Sequence, residues 1–112
     1  TVRRGDIYYA DLSPVVGSEQ GASARFLLYR MDGKQTQPDG NLRGDHVTMH
    51  KSKLPTHVEI DQEDMCSKNS VVLLEQIRTI DKQRLKESVC HLDQEIMKKV
   101  DEALKISIAL ST

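Results

Sequence analysis

The apolar run at residues 71–74, VVLL, constrains the fold of this chain most strongly. Four consecutive aliphatic residues are typical of a short strand that is buried on both faces. After this run, Ile77 and Ile80 continue into another strand or a turn. Before it, residues 56–61 alternate between polar and apolar side chains, which predicts a further strand.

The first third of the chain follows the same period of two. Residues 6–12, DIYYADL, place Ile7 and Tyr9 on one face and Tyr8 and Ala10 on the other. This alternation predicts a strand that is buried on at least one side. The next segment, residues 13–21, contains Pro14 and two glycines, which indicate a loop.

The last twenty residues change to a helical period. Apolar residues recur every four positions, at Ile96, Val100, Leu104 and Ile108, with Met97, Ala103 and Ser107 alongside. This pattern predicts an amphipathic helix packed through that face. Asp93 is the natural N-cap of this helix. Pattern alone therefore predicts a mainly β fold with a C-terminal helix, in the form of a small barrel.

Size and composition limit the possible functions. A chain of 112 residues predicts a single domain, 1–112. The formal net charge is −1, so any nucleic-acid site requires a local concentration of positive charge. No apolar run is long enough to span a membrane, and the charged start does not resemble a signal peptide. We interpret Cys66 and Cys90 as reduced cysteines of a cytoplasmic protein.

The histidines show no spacing typical of a metal site, and the chain has no zinc motif or phosphate-binding loop. We therefore expect no metal and no cofactor.

Residues 22–47 do not fit this pattern. Residues 34–46, KQTQPDGNLRGDH, contain one apolar side chain, Leu42, and have no period. Such a segment is unusual in a small domain. The simplest interpretation is a mobile surface loop.

Several blocks flanking this segment share one resemblance. They are residues 3–14 (RRGDIYYADLSP), 17–21 (GSEQG), 53–60 (KLPTHVEI) and 70–81 (SVVLLEQIRTID). These blocks resemble the MazF/PemK toxins, which are bacterial endoribonucleases paired with an antitoxin. The resemblance implies an SH3-like small barrel of the MazF/CcdB/PemK type. It also implies a homodimer and a MazE-type antitoxin that occupies the RNA groove.

The resemblance further implies a function: sequence-specific, metal-independent cleavage of single-stranded RNA by the toxin of a type II toxin–antitoxin pair. Two other functions remain open. A family member that has lost its catalytic groups would dimerise and bind antitoxin without cutting RNA. A CcdB-like relative would instead poison a topoisomerase, because one fold can serve different targets.

Back-translation suggests a reason for the anomalous segment. Permitted codons for residues 24–31, read one nucleotide earlier, spell RPVLVIQN, which resembles the family strand after its glycine loop. Residues 34–46 similarly yield NKHSPTVI and, after one mismatch, AAIT. We therefore hypothesise a frameshift around residues 22–47. The shifted reading would supply two buried strands.

The family's catalytic pair is an Arg after the glycine loop and a Thr at the end of the AAIT strand. The nearest equivalents here are Arg25 and Thr48, both displaced by the proposed shift. A displacement of one residue turns a strand side chain to the opposite face, so Arg25 does not simply replace the family arginine.

In RNA cleavage by 2′-hydroxyl transesterification, a guanidinium and a hydroxyl can stabilise the charged phosphate oxygens. An arginine remains protonated and is a poor base. Glu19 or the phosphate itself is a better proton acceptor.

Five residues are predicted to contact RNA: Ser18, Glu19, Gln20, Pro55 and Gln76. The first three match the family's substrate-contacting loop, and their polar groups suit the edges of unpaired bases. Without the resemblance they would indicate only a polar turn, and Gln76 could be a surface residue at a strand end. A basic patch or a scattered solvated surface could equally account for Arg3, Arg4, Lys51, Lys53, Arg78, Lys82, Arg84 and Lys86.

Overall fold

The computed structural model describes residues 2–12, 23–29, 41–49, 54–61 and 69–110. Within these ranges, six strands precede a C-terminal helix. The strands are β1 (Asp6–Asp11), β2 (Ser23–Tyr29), β3 (Asn41–Thr48), β4 (His57–Ile60), β5 (Ser70–Asp81) and β6 (Leu85–His91). A single 3₁₀ turn, Lys82–Arg84, joins β5 to β6, and α1 spans Gln94–Leu110.

The described strands form one antiparallel sheet in the order β4-β5-β3-β2-β1-β6. The predicted mainly β fold with a C-terminal helix is therefore confirmed. The sheet does not close into a complete barrel among the described residues, since β4 and β6 are its two edges.

The longest strand, β5, explains the pattern around residues 71–74. Val71, Val72 and Leu74 are at most 4 % exposed, as expected for a run covered on both faces. Ile77 and Ile80 continue the same strand rather than starting another element. The pairing of β5 with β3 is interrupted between Asp45 and Val47. Beyond this break, the first part of β5 also pairs with β4.

Two hydrophobic clusters cover opposite faces of the sheet. The larger cluster packs β-strand residues such as Ile7, Leu27 and Val72 against Val100 of α1. The smaller cluster lies on the other face and consists of Ala10, Phe26, Leu28, Leu42 and Ile80. Because successive strand residues point to opposite faces, Phe26 and Leu27 belong to different clusters.

The segment without a clear period, residues 22–47, contains most of two central strands, β2 and β3. The prediction of a structureless stretch over 34–46 is wrong for residues 41–46, which belong to β3. Residues 30–40 lie outside the described residues. Leu27, Leu28 and Leu42 are fully buried, so tertiary contacts hold these strands in the sheet despite their weak local pattern.

The C-terminal helix begins as predicted. The Asp93 carboxylate accepts a hydrogen bond from the Ile96 backbone N–H at 2.9 Å, which satisfies an otherwise unpaired N–H of the first turn. The predicted apolar face is buried through the middle of the helix but exposed near its C-terminal end. Val100 is buried, but Ile108 is 55 % exposed, whereas Met97 and Ala103 are buried.

Within the described part of the chain, no helix combines the length and apolar character that a membrane span requires. The same residues contain no group of three or more potential metal ligands.

Candidate nucleic-acid interface

A cleft of about 420 Å³ opens on the sheet face that carries the smaller hydrophobic cluster. It is called the sheet-face cleft below. Its lining residues come from β2, β3, β5 and the position after β1. They are Leu12, Phe26, His46, Gln76, Ile77 and Arg78. An apolar floor is thus combined with an imidazole, an amide and a guanidinium.

The β2–β3 pairing positions the imidazole. Phe26 lies directly opposite His46 in the antiparallel register. Their ring centroids are 5.6 Å apart, with the planes tilted by 36°, a geometry typical of attractive contacts between rings. Phe26 is 1 % exposed and forms a rigid support for the half-buried His46 ring.

The β3–β5 pairing positions the guanidinium. Arg78 is paired with Gly44, two residues from His46 on the same face of β3. A Cβ atom at Gly44 would lie 2.8 Å from Ile80 Cδ1 and 3.1 Å from Leu28 Cδ2. Glycine therefore allows the side chains beneath the cleft to pack closely.

Gln76 and Arg78 are both exposed. A guanidinium can bind phosphate oxygens through several N–H groups. An amide can donate to and accept from an unpaired base, and an imidazole can transfer a proton near neutral pH. These groups are suited to a single-stranded nucleic acid.

Among the predicted residues, Gln76 lines the sheet-face cleft. Thr48 follows His46 by two positions in β3 and therefore lies on the same face. It is half-buried. Thr48 and Gln76 thus belong to one side of the sheet.

Arg25 lies on the opposite side. It pairs with Val47, which belongs to the larger cluster against the helix. Arg25 is 7 % exposed, and its Nη1 donates a hydrogen bond of 2.9 Å to Ser70 Oγ. The structure does not bring Arg25 and Thr48 together on one face.

Pro55 lines a different cleft, which lies between β4 and α1 and has a volume of about 760 Å³. Pro55 and Gln76 therefore face separate concavities. Ser18, Glu19 and Gln20 lie outside the described residues. Leu12, the last described residue before that segment, lines the sheet-face cleft.

A polar cluster adjoins Pro55. The hydroxyl of buried Thr56 donates to Glu75 Oε1 at 2.8 Å, and His57 Nε2 lies 3.0 Å from Glu75 Oε2. Partial burial acts to raise the pKa of Glu75, but the hydrogen bonds with His57 and Thr56 outweigh it. The pKa of Glu75 is consequently below its ordinary value of 4.5.

The predicted basic residues do not share one environment. Arg78 lines the sheet-face cleft, whereas Arg4 forms an ion pair with Asp101 of the helix. Arg84 Nη1 donates to the Asp11 carbonyl at 3.3 Å. Lys51 and Lys53 lie outside the described residues.

Sequence reasoning did not identify Phe26 or His46 as site residues. Both lie within residues 22–47, the segment for which we hypothesise a frameshift. The usable signal was the alternation of Ala24, Phe26 and Leu28, which lie on one face of β2.

The antiparallel sheet with its C-terminal helix defines a mainly β protein. The polar groups of the sheet-face cleft define a candidate site for single-stranded nucleic acid. Residues 3–108 match the PemK-like, MazF-like toxin of type II toxin–antitoxin systems. The chain belongs to this family.

A curated relative, endoribonuclease EndoA of Bacillus subtilis strain 168, is 55 % identical over 111 residues. The alignment covers 97 % of this chain and 96 % of the relative.

Solved structures show the same fold at low sequence identity. A mycobacterial endoribonuclease in complex with its cognate antitoxin is 19 % identical and has a TM-score of 0.78, with 98 % of this chain and 97 % of that chain covered. The MazE–MazF structure from Deinococcus radiodurans is 20 % identical with a TM-score of 0.72, covering 97 % and 96 % of the two chains. These likenesses confirm the predicted toxin fold.

Proposed function

We propose that this chain is a sequence-specific, metal-independent endoribonuclease that cleaves single-stranded RNA. In this proposal it is the toxin of a type II toxin–antitoxin system. The observation that carries the proposal is the sheet-face cleft, which Gln76, Arg78 and His46 line together with Phe26. The relation to EndoA, whose name states endoribonuclease activity, supports the same reaction.

The cleft provides complementary groups for a single strand. Arg78 offers positive charge and several N–H donors to a phosphate, and Gln76 offers an amide to a base edge. A flexible single strand can present its phosphates and base edges to these groups without the unwinding that a duplex would need. Ser18, Glu19 and Gln20 also contact the RNA in the proposal, because they match the family's substrate-contacting loop.

The reaction requires no metal. The ribose 2′-hydroxyl attacks the adjacent phosphorus, the bond from phosphorus to the 5′-oxygen breaks, and a 2′,3′-cyclic phosphate forms. Positively charged and hydrogen-bonding groups stabilise the phosphate oxygens in the transition state. Thr48 is the predicted hydroxyl donor, and Glu19 is a predicted proton acceptor. The direct catalytic role of Arg25 stays a prediction.

A fluorogenic RNA library containing many short motifs tests the activity. The protein is incubated with RNA in EDTA, and products are examined for 2′,3′-cyclic phosphate ends. Cleavage at a recurring motif supports the proposal. Intact RNA under all conditions, with anisotropy used in parallel to measure binding, contradicts it. A gyrase supercoiling assay in parallel detects the topoisomerase alternative.

We also propose a homodimer in the cytoplasm, where cellular RNA is accessible, and inhibition by a cognate MazE-type antitoxin. Antitoxin complexes among the similar structures support this partner. Sedimentation measures the oligomeric state. Titration with antitoxin should abolish cleavage at one stoichiometric equivalent per binding site. RNA cleavage that persists at saturating antitoxin contradicts the inhibition.

One observation favours a second function, antitoxin and RNA binding without cleavage. The Arg25 guanidinium lies on the helix side of the sheet and is bonded to Ser70. If an arginine in this position must contact the scissile phosphate, the chain cannot cut RNA. Binding of the fluorogenic RNA without cleavage, together with a stable antitoxin complex, supports this function.

A further inference from the structure

We propose that His46 is the catalytic proton acceptor of the sheet-face cleft. This inference rests on the proposed RNA cleavage and assigns a role to a residue of β3 that the family resemblance does not single out. His46 removes the proton from the attacking 2′-hydroxyl. Arg78 neutralises the phosphate alongside it.

The position of His46 suits this role. Its imidazole is half-buried in a cleft lining that also contains Gln76 and Arg78. Phe26 supports the ring from the paired strand, with a centroid distance of 5.6 Å. A base must be held in place while remaining accessible to substrate. Partial burial against a fixed aromatic ring satisfies both conditions.

The neighbouring groups leave His46 as the only suitable base among the described lining residues. Phe26 of β2 and Leu12, the residue after β1, also line the cleft, and neither side chain is ionisable. The element β5 contributes Arg78, which remains protonated. Glu19 lies outside the described residues, and its variant is included in the test below.

Two carboxylates elsewhere in the described structure are engaged away from this cleft. Glu75 is hydrogen-bonded to Thr56 and His57. Asp6 Oδ1 lies 2.6 Å from His91 Nδ1. Neither carboxylate lines the sheet-face cleft.

The proposed step balances without a metal or a redox partner. A neutral imidazole nitrogen of His46 takes the 2′-hydroxyl proton as the 2′-oxygen bonds to phosphorus. The bond from phosphorus to the 5′-oxygen then breaks, and water supplies a proton to the departing oxygen. The products are a 2′,3′-cyclic phosphate, a 5′-hydroxyl and an imidazolium, which returns its proton to water.

Arg78 stabilises the reaction by charge. Its guanidinium donates to the non-bridging oxygens, which become more negative in the transition state. It also lines the same cleft as His46, on which an imidazolium forms. We therefore expect the phosphate to lie between the two cationic side chains, so that its negative charge offsets their repulsion.

The test compares His46→Gln with His91→Gln, a matched histidine change outside the cleft. Single-turnover cleavage in EDTA should fall about 10²–10⁴-fold in H46Q, whereas H91Q should retain parental cleavage. RNA affinity should change less than about threefold in H46Q, since the lost group acts mainly on the proton. The parent rate should decline on the acidic side, where imidazole is protonated, and H46Q should lack this decline.

A second variant guards against a folding defect. His46→Ala creates space beside Phe26, and added free imidazole should restore part of its cleavage. Parental rates and an unchanged pH profile in H46Q overturn the role of His46 while leaving the nuclease proposal intact. The same conclusion follows if Glu19→Gln, rather than H46Q, removes the acidic decline. RNA binding without cleavage by the parent overturns both proposals.

Discussion

Arg25 and Thr48 lie on opposite faces of the central sheet. Arg25 is paired with Val47, the residue that precedes Thr48, so one step along β3 separates their faces. Thr48 lies on the same face as His46, whereas Arg25 lies on the face of the larger hydrophobic cluster, which packs against α1. The predicted pair therefore does not form one catalytic centre in this structure.

The Arg25–Ser70 contact should contribute to stability rather than directly to cleavage. Ser70→Ala removes the hydroxyl that accepts from the buried Nη1. We expect the free energy of unfolding to fall by about 1–3 kcal/mol, as measured by urea denaturation. Exposed Ser88 provides the control, since Ser88→Ala should change stability by less than about 0.5 kcal/mol. Loss of RNA cleavage by S70A without loss of stability would instead connect Arg25 with the reaction.

Gly44 should be intolerant of even one methyl group. In Gly44→Ala, the new Cβ would meet Ile80 Cδ1 at 2.8 Å. Overpacking should lower the free energy of unfolding by about 1–3 kcal/mol.

The double variant G44A/I80V tests the cause. Ile80→Val removes the Cδ1 atom that the new methyl group meets, and by itself should cost about 0.5–1.5 kcal/mol. The double variant should lose less stability than the sum of the two single changes. If the two losses in free energy of unfolding simply add, the contact with Ile80 Cδ1 is not the cause of the G44A defect.

The Thr56–Glu75 hydrogen bond should produce a pH-dependent stability difference. Thr56→Val removes the hydroxyl donor. We expect the free energy of unfolding at pH 7 to fall by about 1 kcal/mol, a value that already allows for the partial solvent exposure of Glu75. The folded-state pKa of Glu75 is lowered, so its stabilisation is present above its ordinary value of 4.5. This contribution disappears as the pH falls through the lower folded-state pKa.

Urea denaturation of the parent and T56V at pH 7 and at about pH 3 measures this effect, because carboxylates are largely protonated at the lower pH. The two proteins should converge in stability under acidic conditions. In a Glu75→Gln background, the effect of T56V should no longer depend on pH in this range. A constant difference between T56V and the parent would exclude the ionised carboxylate as its source.

Arg78 should contribute directly to the salt dependence of RNA binding. Arg78→Gln removes one cation from the sheet-face cleft. We expect weaker binding and a reduction of about 0.7 in the magnitude of the slope of log K against log salt, the value for one phosphate contact on a single strand. Fluorescence anisotropy at several salt concentrations measures both quantities.

Arg43 provides a matched control for this measurement. It is also exposed and lies in β3 opposite Thr79, but its side chain is on the other face of the sheet. Arg43→Gln should retain the parental salt slope. Equal reductions in R43Q and R78Q would indicate a general effect of net charge instead of a phosphate contact in the cleft.

The amino-acid sequence determined the local elements with strong periodicity. The 71–74 run predicted a buried strand, and the four-residue period with Asp93 predicted the C-terminal helix and its start. These features depend on neighbouring residues in the chain: side-chain alternation, helical spacing and a local cap.

The sequence of β3 has only a weak period and therefore gave little indication of a central strand. This strand is stabilised by its pairing with β2 and β5, which are distant in the chain. Only the tertiary structure decided which side chains meet. The opposition of Phe26 and His46, and of Arg25 and Val47, depends on long-range strand register. Since one position of register exchanges the two faces of a strand, sequence proximity could not decide that His46 joins Arg78 while Arg25 faces the helix-side core.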